Sequence, residues 1–245
     1  DMIVQLVDQL RTDIDADTII GIGIAATGVV EDGVIRESTV LGWRDLDLRG
    51  MLERRFGFPV TISNDVVCSM LAERFFGHGD KSMLFIKIDR GIGAATLIDD
   101  VTVIGQNHAG GEIGHISLDP ESGVLCPCGK RGCLETMVTS PVIRERIRRA
   151  STPEEQLDII RSCGEQLAAA LAMPIGLLDI NDICVYGPPD IVNAAFLEAT
   201  QRRVDMVSSS KFHKHTSVRR CQVGSDIALR GSAIDVVHHY IENGH

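Results

Sequence analysis

GGEIGH (residues 110–115) and, ten residues on, CPCGKRGCLE (residues 126–135) decide how the rest of this sequence is read. His115, Cys126, Cys128 and Cys133 supply one imidazole and three thiols. A Cys₃His set is a closed structural zinc site. Gly129 and Gly132 let the backbone turn tightly enough for three sulfurs to face one point. Soft sulfur donors favour zinc over magnesium or calcium. Four protein ligands leave no position for a reacting water, so the expected role is structural. A disulfide plus a free thiol is the competing reading, although Cys126 and Cys128 stand too close in sequence to bridge comfortably.

Outward from this run, strands alternate with helices. The β-branched, glycine-containing stretch 18–25 predicts a strand, and so does 59–62. Val66, Val67, Met70, Leu71 and Phe75 recur at helical spacing over 66–76, with Asn64 or Asp65 as the N-cap. Segments 82–88 and 94–98 predict a hairpin across the turn at Arg90–Gly93. The loop-rich stretch 105–135 follows. Helices are expected at 140–149 and 153–178, with Pro153 in a first turn and Pro174 kinking or breaking the later part. A strand at 182–187, a helix at 190–206, a strand at 218–223 and a helix at 226–242 complete the chain. The alternation points to an α/β fold with a mixed sheet. At the other end, Ile3, Leu6, Val7 and Leu10 lie on one helical face. The chain starts within this helix at Asp1, and an N-terminal part is expected to be missing from the sequence.

The bulk numbers narrow the function classes. The chain has 245 residues, 44% hydrophobic and 24% charged, with a net charge of −10. An acidic surface repels phosphate backbones, and one Trp and two Tyr give little for bases to stack on. Arg148–Arg149 and Arg219–Arg220 read as solvated helix or strand ends. No apolar run has the ~18 residues of a membrane helix, and no stretch resembles a signal peptide. A cytoplasmic enzyme or sensor is the default. Of seven cysteines, Cys68, Cys163, Cys184 and Cys221 are scattered among apolar residues and read as core thiols. An odd count also argues against a complete disulfide framework.

The two motifs, in this order and at this distance, resemble the signature of the ROK family (repressors, open reading frames and sugar kinases). GIGIAATG (21–28), GWRDLDL (42–48) and Asn64–Asp65 fall where family members carry similar runs. The resemblance spans essentially the whole chain. It implies an actin-like, RNase H-like fold of two α/β lobes with a central cleft and a zinc-binding loop. On that basis residues 1–100 are expected to form an N-terminal lobe, incomplete at its start. Residues 101–230 would form a C-terminal lobe carrying the zinc loop 105–135, and 231–245 a closing helix returning to the first lobe. The resemblance also implies that His115, Cys126, Cys128 and Cys133 hold zinc.

Sugar recognition needs buried carboxylates and amides that bond neighbouring hydroxyls and are left unpaired by analogues lacking them. Asn64, Asp65, Glu112, His115 and Glu135 supply that chemistry, and the resemblance implies that all five line the sugar site. Each alone reads better as an N-cap (Asn64, Asp65) or a surface carboxylate (Glu112, Glu135), and it is all five in the family's register that reverses this. In the family's kinases the residue matching Asp65 is the general base toward the γ-phosphate. The nucleotide elements are altered, however. The first, an N-terminal Asp-x-Gly-Gly-Thr-like hairpin, does not occur before residue 21. The glycine loop reads DRGIG (89–93), which leaves Gly91 and Gly93 as a phosphate-loop remnant but puts Asp89 where polyphosphate would sit. The late turn reads GPP (187–189), and prolines remove backbone donors. The leading expectation is therefore the sugar-binding and oligomerisation part of a sugar-responsive regulator. It would bind a sugar or sugar phosphate, form a homodimer or homotetramer, and reach DNA only through a missing N-terminal segment. The alternative is a sugar kinase acting on a hexose or N-acetylhexosamine with ATP and Mg²⁺. A third possibility is a zinc-held fold that binds neither ligand.

Overall fold

The computed structural model describes residues 2–12, 14–208 and 215–242. The backbone divides into two units, residues 1–76 with 223–245, and residues 77–222. The first boundary falls earlier than the one expected after residue 100. The reason is the hairpin over 83–98, which pairs with later strands rather than with the strands before it.

Unit 1 opens with α1 (Met2–Arg11) and β1 (Ile22–Ala26). An antiparallel meander follows: β2 (Val29–Glu31), β3 (Val34–Ser38) and β4 (Trp43–Leu46). Next come α2 (Leu48–Phe56), β5 (Val60–Asn64) and α3 (Asp65–Phe76), and α8 (Ile227–Glu242) returns from the far end of the chain. Local chemistry sets these bounds. Asp47 caps α2 by accepting from the Gly50 N–H, and Gly57 ends it at φ 73°. β1 and β5 pair in parallel, Ile22 opposite Val60. Their core contains Ile35, Leu52, Phe56, Val60 and Ile62, with Ile3, Val4 and Val7 of α1 packed against it. Leu6 and Leu10, expected on that same face, are instead exposed.

The meander was not foreseen, because its strands lack clean alternation. Ile35 is its fully buried anchor. The polar positions pair across strands, Arg36 with Glu31 and Arg44 with Glu37. α8 lies so close to α3 that a Cβ on Gly231 would stand 1.6 Å from the Cys68 carbonyl oxygen.

Unit 2 is a five-stranded mixed sheet in the order β10-β9-β6-β7-β8. Its strands are β6 (Met83–Ile88), β7 (Ile92–Ile98), β8 (Val101–Val103), β9 (Asp182–Tyr186) and β10 (Ser217–Arg220). β6, β9 and β10 run parallel, and β7 and β8 are added antiparallel. The helices are α4 (Glu135–Val138), α5 (Ser140–Arg149), α6 (Pro153–Leu178) and α7 (Ala194–Ser208). Thr152 caps α6, Pro153 opens it, and Asp179 closes it in the left-handed region. α6 spans the expected 153–178 and passes through Pro174 without the break that was one of the two expected effects of that proline. Leu167, Leu171 and Ile175 are all buried in the core around it, and tertiary packing outweighs one missing backbone bond. Cys68, Cys163, Cys184 and Cys221 are all buried, as expected of core thiols. Among the described residues no helix is long and apolar enough to cross a membrane.

Candidate functional site

Within unit 2 the two motifs fold as one piece against β7. The Ala94 N–H donates to the Gly111 carbonyl at 2.8 Å. A Cβ on Gly111, which sits at φ 94°, would collide with the Ala94 carbonyl oxygen. Only glycine permits that approach. It places Glu112 at the entry of a 3₁₀ turn, Ile113–His115, whose last residue is the imidazole. The cysteine run then folds as a knuckle. The Cys126 N–H donates to the Lys130 carbonyl and the Gly129 N–H to the Cys126 carbonyl. Short bridges pair Ser117 with Cys133 and Leu125 with Arg131. Lys130 Nζ donates to the His115 carbonyl at 2.7 Å, locking the knuckle to the imidazole residue. Lys130 lay inside the quoted motif, but a lysine so placed reads from sequence as an exposed charge.

The expected four ligands come together. One donor atom from each of His115, Cys126, Cys128 and Cys133 lies within 4.8 Å of all the others. Cys128 Sγ and Cys133 Sγ are 3.6 Å apart, and so are Cys126 Sγ and His115 Nδ1. A tetrahedral zinc with Zn–S of ~2.3 Å would put its sulfurs about 3.8 Å apart. The four residues therefore fit a metal ion of that size and preference. None of the three thiols is disulfide-bonded. Cys126 and Cys133 are buried and Cys128 is exposed. Burial, then a hydrogen bond to Glu135, pushes the Cys126 thiol up to about 12. A bond from the Lys130 backbone brings Cys128 down to about 7. Burial raises Cys133.

Two carboxylates flank the imidazole. Glu135 Oε1 is 3.4 Å from His115 Nδ1 and 3.0 Å from Cys126 Sγ. Glu112 Oε2 is 4.0 Å from Nε2, on the other side of the ring. Glu112, His115 and Glu135 thus form one polar cluster on the metal knuckle.

In unit 1, Asn64 ends β5 and Asp65 begins α3. Asn64 is the cap, its Oδ1 accepting from the Val66 and Val67 N–H groups. Its Nδ2 donates to the Gly28 carbonyl at 2.8 Å, within the first glycine motif. Asp65 is half-buried at the start of the helix.

Gly91 lies in the β6–β7 turn, where the Asp89 N–H donates to the Gly91 carbonyl, whereas Gly93, expected in that turn, is already in β7 opposite Lys87. At the end of β9, the turn after Gly187 is tied down by side chains the sequence did not single out. Arg144 binds Asp190 through two nitrogens at 2.9 and 3.1 Å, which holds the Asp190 carboxyl below its ordinary value. Arg220 donates to the Gly187 and Val192 carbonyls. Arg219 makes a two-pronged pair with buried Asp182. Arg219–Arg220 is therefore no solvated strand end. Both guanidiniums brace the β9–β10 edge, and a dipeptide pattern carries no sign of that.

Comparison with known proteins places this geometry. The family model described as "ROK family" matches residues 1–237. A glucokinase of Halalkalibacterium halodurans is 40% identical over 126 residues, covering 50% of this chain and 38% of that protein. A putative xylose repressor of Caldicellulosiruptor sp. is 33% identical over 198 residues, 71% of this chain and 49% of that one. The chain thus spans half or less of the length of these relatives. Among solved structures, a ROK family glucokinase from Streptomyces griseus, in complex with glucose and AMPPNP, superposes with a TM-score of 0.81 at 24% identity. That match covers 97% of this chain and 87% of the other. A ROK family transcriptional regulator, a homolog of the E. coli MLC protein, gives 0.84 at 23%, covering 98% and 67%. Kinases and repressors both carry the fold.

Proposed function

Because this chain belongs to the ROK family, we propose that it is the sugar-binding part of a sugar-responsive transcriptional regulator, with DNA contacts made outside residues 1–245. The observation that carries the regulator reading is the turn after β9. Pro188 and Pro189 offer no N–H to a ligand. The Gly187 and Val192 carbonyls already accept from Arg220, and Asp190 is held by Arg144. Asp89 adds a negative charge beside the glycine turn. The sugar-type residues Asn64, Asp65, Glu112, His115 and Glu135, by contrast, are all present in the sequence.

In this proposal Glu112, His115 and Glu135 bind sugar hydroxyls, and Asn64 and Asp65 are likewise assigned to sugar recognition. His115, Cys126, Cys128 and Cys133 hold zinc. When bound, zinc supplies a closed cross-link of the knuckle. His115 turns Nδ1 toward Cys126 Sγ; with zinc held on Nδ1, Nε2 would carry the proton and donate toward Glu112 or a hydroxyl. A sugar acts as a signal only through different affinities for two states of the protein. The reading includes a homodimer or homotetramer, so that paired DNA-binding segments could match half-sites.

The kinase reading is supported by the 40% identity to a glucokinase and by Asp65 at the start of α3. A coupled ADP-release assay over common hexoses and N-acetylhexosamines, with ATP and Mg²⁺, separates the two. The regulator gives no turnover above background. Turnover that disappears in Asp65→Asn would replace it with the kinase.

A further inference from the structure

In unit 2, β9 sends Ile183 and Val185 into the core with Leu167 and Phe196, and β10 packs Val218 against the same core. Successive side chains alternate across a sheet. Asp182 and Cys184 of β9 therefore share the opposite face with Arg219 of β10 and, just past its end, Cys221. The ladder reaches that far, because the Cys221 N–H donates to the Val185 carbonyl at 3.0 Å.

The strands run parallel, with Ser217 opposite Asp182 and Arg219 opposite Cys184. Side chains of β10 on this face lean back along β9. Arg219 bonds Asp182, two residues before its ladder partner, at 2.7 and 2.8 Å. Cys221 repeats that offset one step later and comes to Cys184. The two sulfurs lie within 4.8 Å of each other. Cys184 is fully buried, Cys221 is 8% exposed, and neither is in a disulfide.

Spacing decides between two uses of such a thiol pair. A disulfide needs Cα atoms within ~7 Å. An offset of two residues on neighbouring strands sets the Cα atoms of Cys184 and Cys221 about 8 Å apart, so closing an S–S bond would require the strands to shift. Two metal–sulfur bonds of ~2.3 Å span up to about 4.6 Å, and an ion between the sulfurs fits with little movement. We propose that Cys184 and Cys221 bind one Cu(I) ion as a two-coordinate site separate from the knuckle. Soft thiolates select Cu(I). Zinc prefers four ligands, and calcium and magnesium a shell of oxygens. On binding, each thiol releases its proton to solvent and forms one sulfur–copper bond. Copper remains Cu(I) throughout, so no oxidant takes part. The ion cross-links β9 to the end of β10, beside the braces made by Arg219 and Arg220. The inference holds for a regulator or a kinase alike.

The test is a titration of the zinc-loaded 245-residue chain in the absence of oxygen, with Cu(I) delivered from its complex with bathocuproine disulfonate. The chain should withdraw one Cu(I) per molecule from the chelator and release no zinc. X-ray absorption at the copper edge should show two sulfur neighbours. Cys184→Ala and Cys221→Ala should each abolish the uptake. Zinc released as copper binds, or copper with three sulfur neighbours, puts the ion in the knuckle and overturns the proposal. So does uptake that survives both substitutions, or a chain that takes no copper from the chelator. Should either alanine variant fail to fold, zinc release and the copper-edge spectrum of the unaltered chain still decide.

Discussion

Glu135 Oε1 accepts from the Cys126 thiol at 3.0 Å and lies 3.4 Å from His115 Nδ1. One carboxylate therefore touches two of the four metal-type ligands while heading α4. If Glu135 serves the sugar rather than the knuckle, replacing it should separate two properties. Glu135→Gln and Glu112→Ala should each abolish or weaken the thermal shift produced by a sugar, with metal content unchanged. A screen of hexoses, N-acetylhexosamines and their phosphates by differential scanning fluorimetry, with metal analysis on each variant, checks this. A full sugar response in Glu112→Ala would remove that residue from the pocket.

The knuckle itself should hold about one zinc per chain. Metal binding that requires the folded site contributes to stability. Cys128→Ser should lose the zinc and on the order of 3 kcal/mol of stability. At ~2–4 °C per kcal/mol for a protein of this size, the melting temperature should fall by roughly 10 °C. Elemental analysis and a melting curve test this, and a metal-free preparation as stable as the original would defeat it.

Stripped of metal by a chelator, the three thiols should alkylate in a fixed order. The thiolate is the reactive form. The Lys130 backbone bond favours the Cys128 thiolate and brings its pKa to about 7. Its reaction should therefore rise through neutral pH. Cys126, pushed up to about 12 mainly by burial, and Cys133, also raised by burial, should lag behind. Iodoacetamide pulses from pH 6 to 9 with peptide mass spectrometry give the order directly. Equal rates for the three would contradict the geometry of the knuckle.

Two glycines should respond with opposite signs. Gly231→Ala forces a methyl against the Cys68 carbonyl, 1.6 Å away before any shift. Backbone cannot yield cheaply there, and overpacking of this kind costs about 3 kcal/mol. Gly176, inside α6, has open space around its Cβ position. Gly176→Ala should stabilise by roughly 0.5–1 kcal/mol. Denaturant melts of the two variants decide it.

Legibility from sequence followed how local the determinants are. The metal-type set was readable because its glycines, thiols and imidazole sit within a short span and fold by backbone turns. α3, α5, α6 and α8 were readable from periodicity and capping residues. β2, β3 and β4 were missed because their register rests on cross-strand pairs such as Arg44 with Glu37, which have no periodic signature. α6 was not broken at Pro174 because packing at Leu171 and Ile175 decides there, and packing partners come from elsewhere in the chain. Arg220 was misread for the same reason: its acceptors are carbonyls some thirty residues earlier.

Unit 1 is made from the two ends of the chain, with α8 laid against α3 and β1 only after residue 223. During synthesis the early strands emerge from the ribosome long before the helix that covers them. Unit 2, continuous over residues 77–222, has all its parts in hand sooner. Until α8 is made, the face of β1 against which Ser232 and Val236 press lacks its cover, and exposed apolar surface in a nascent chain invites chaperone contact or aggregation.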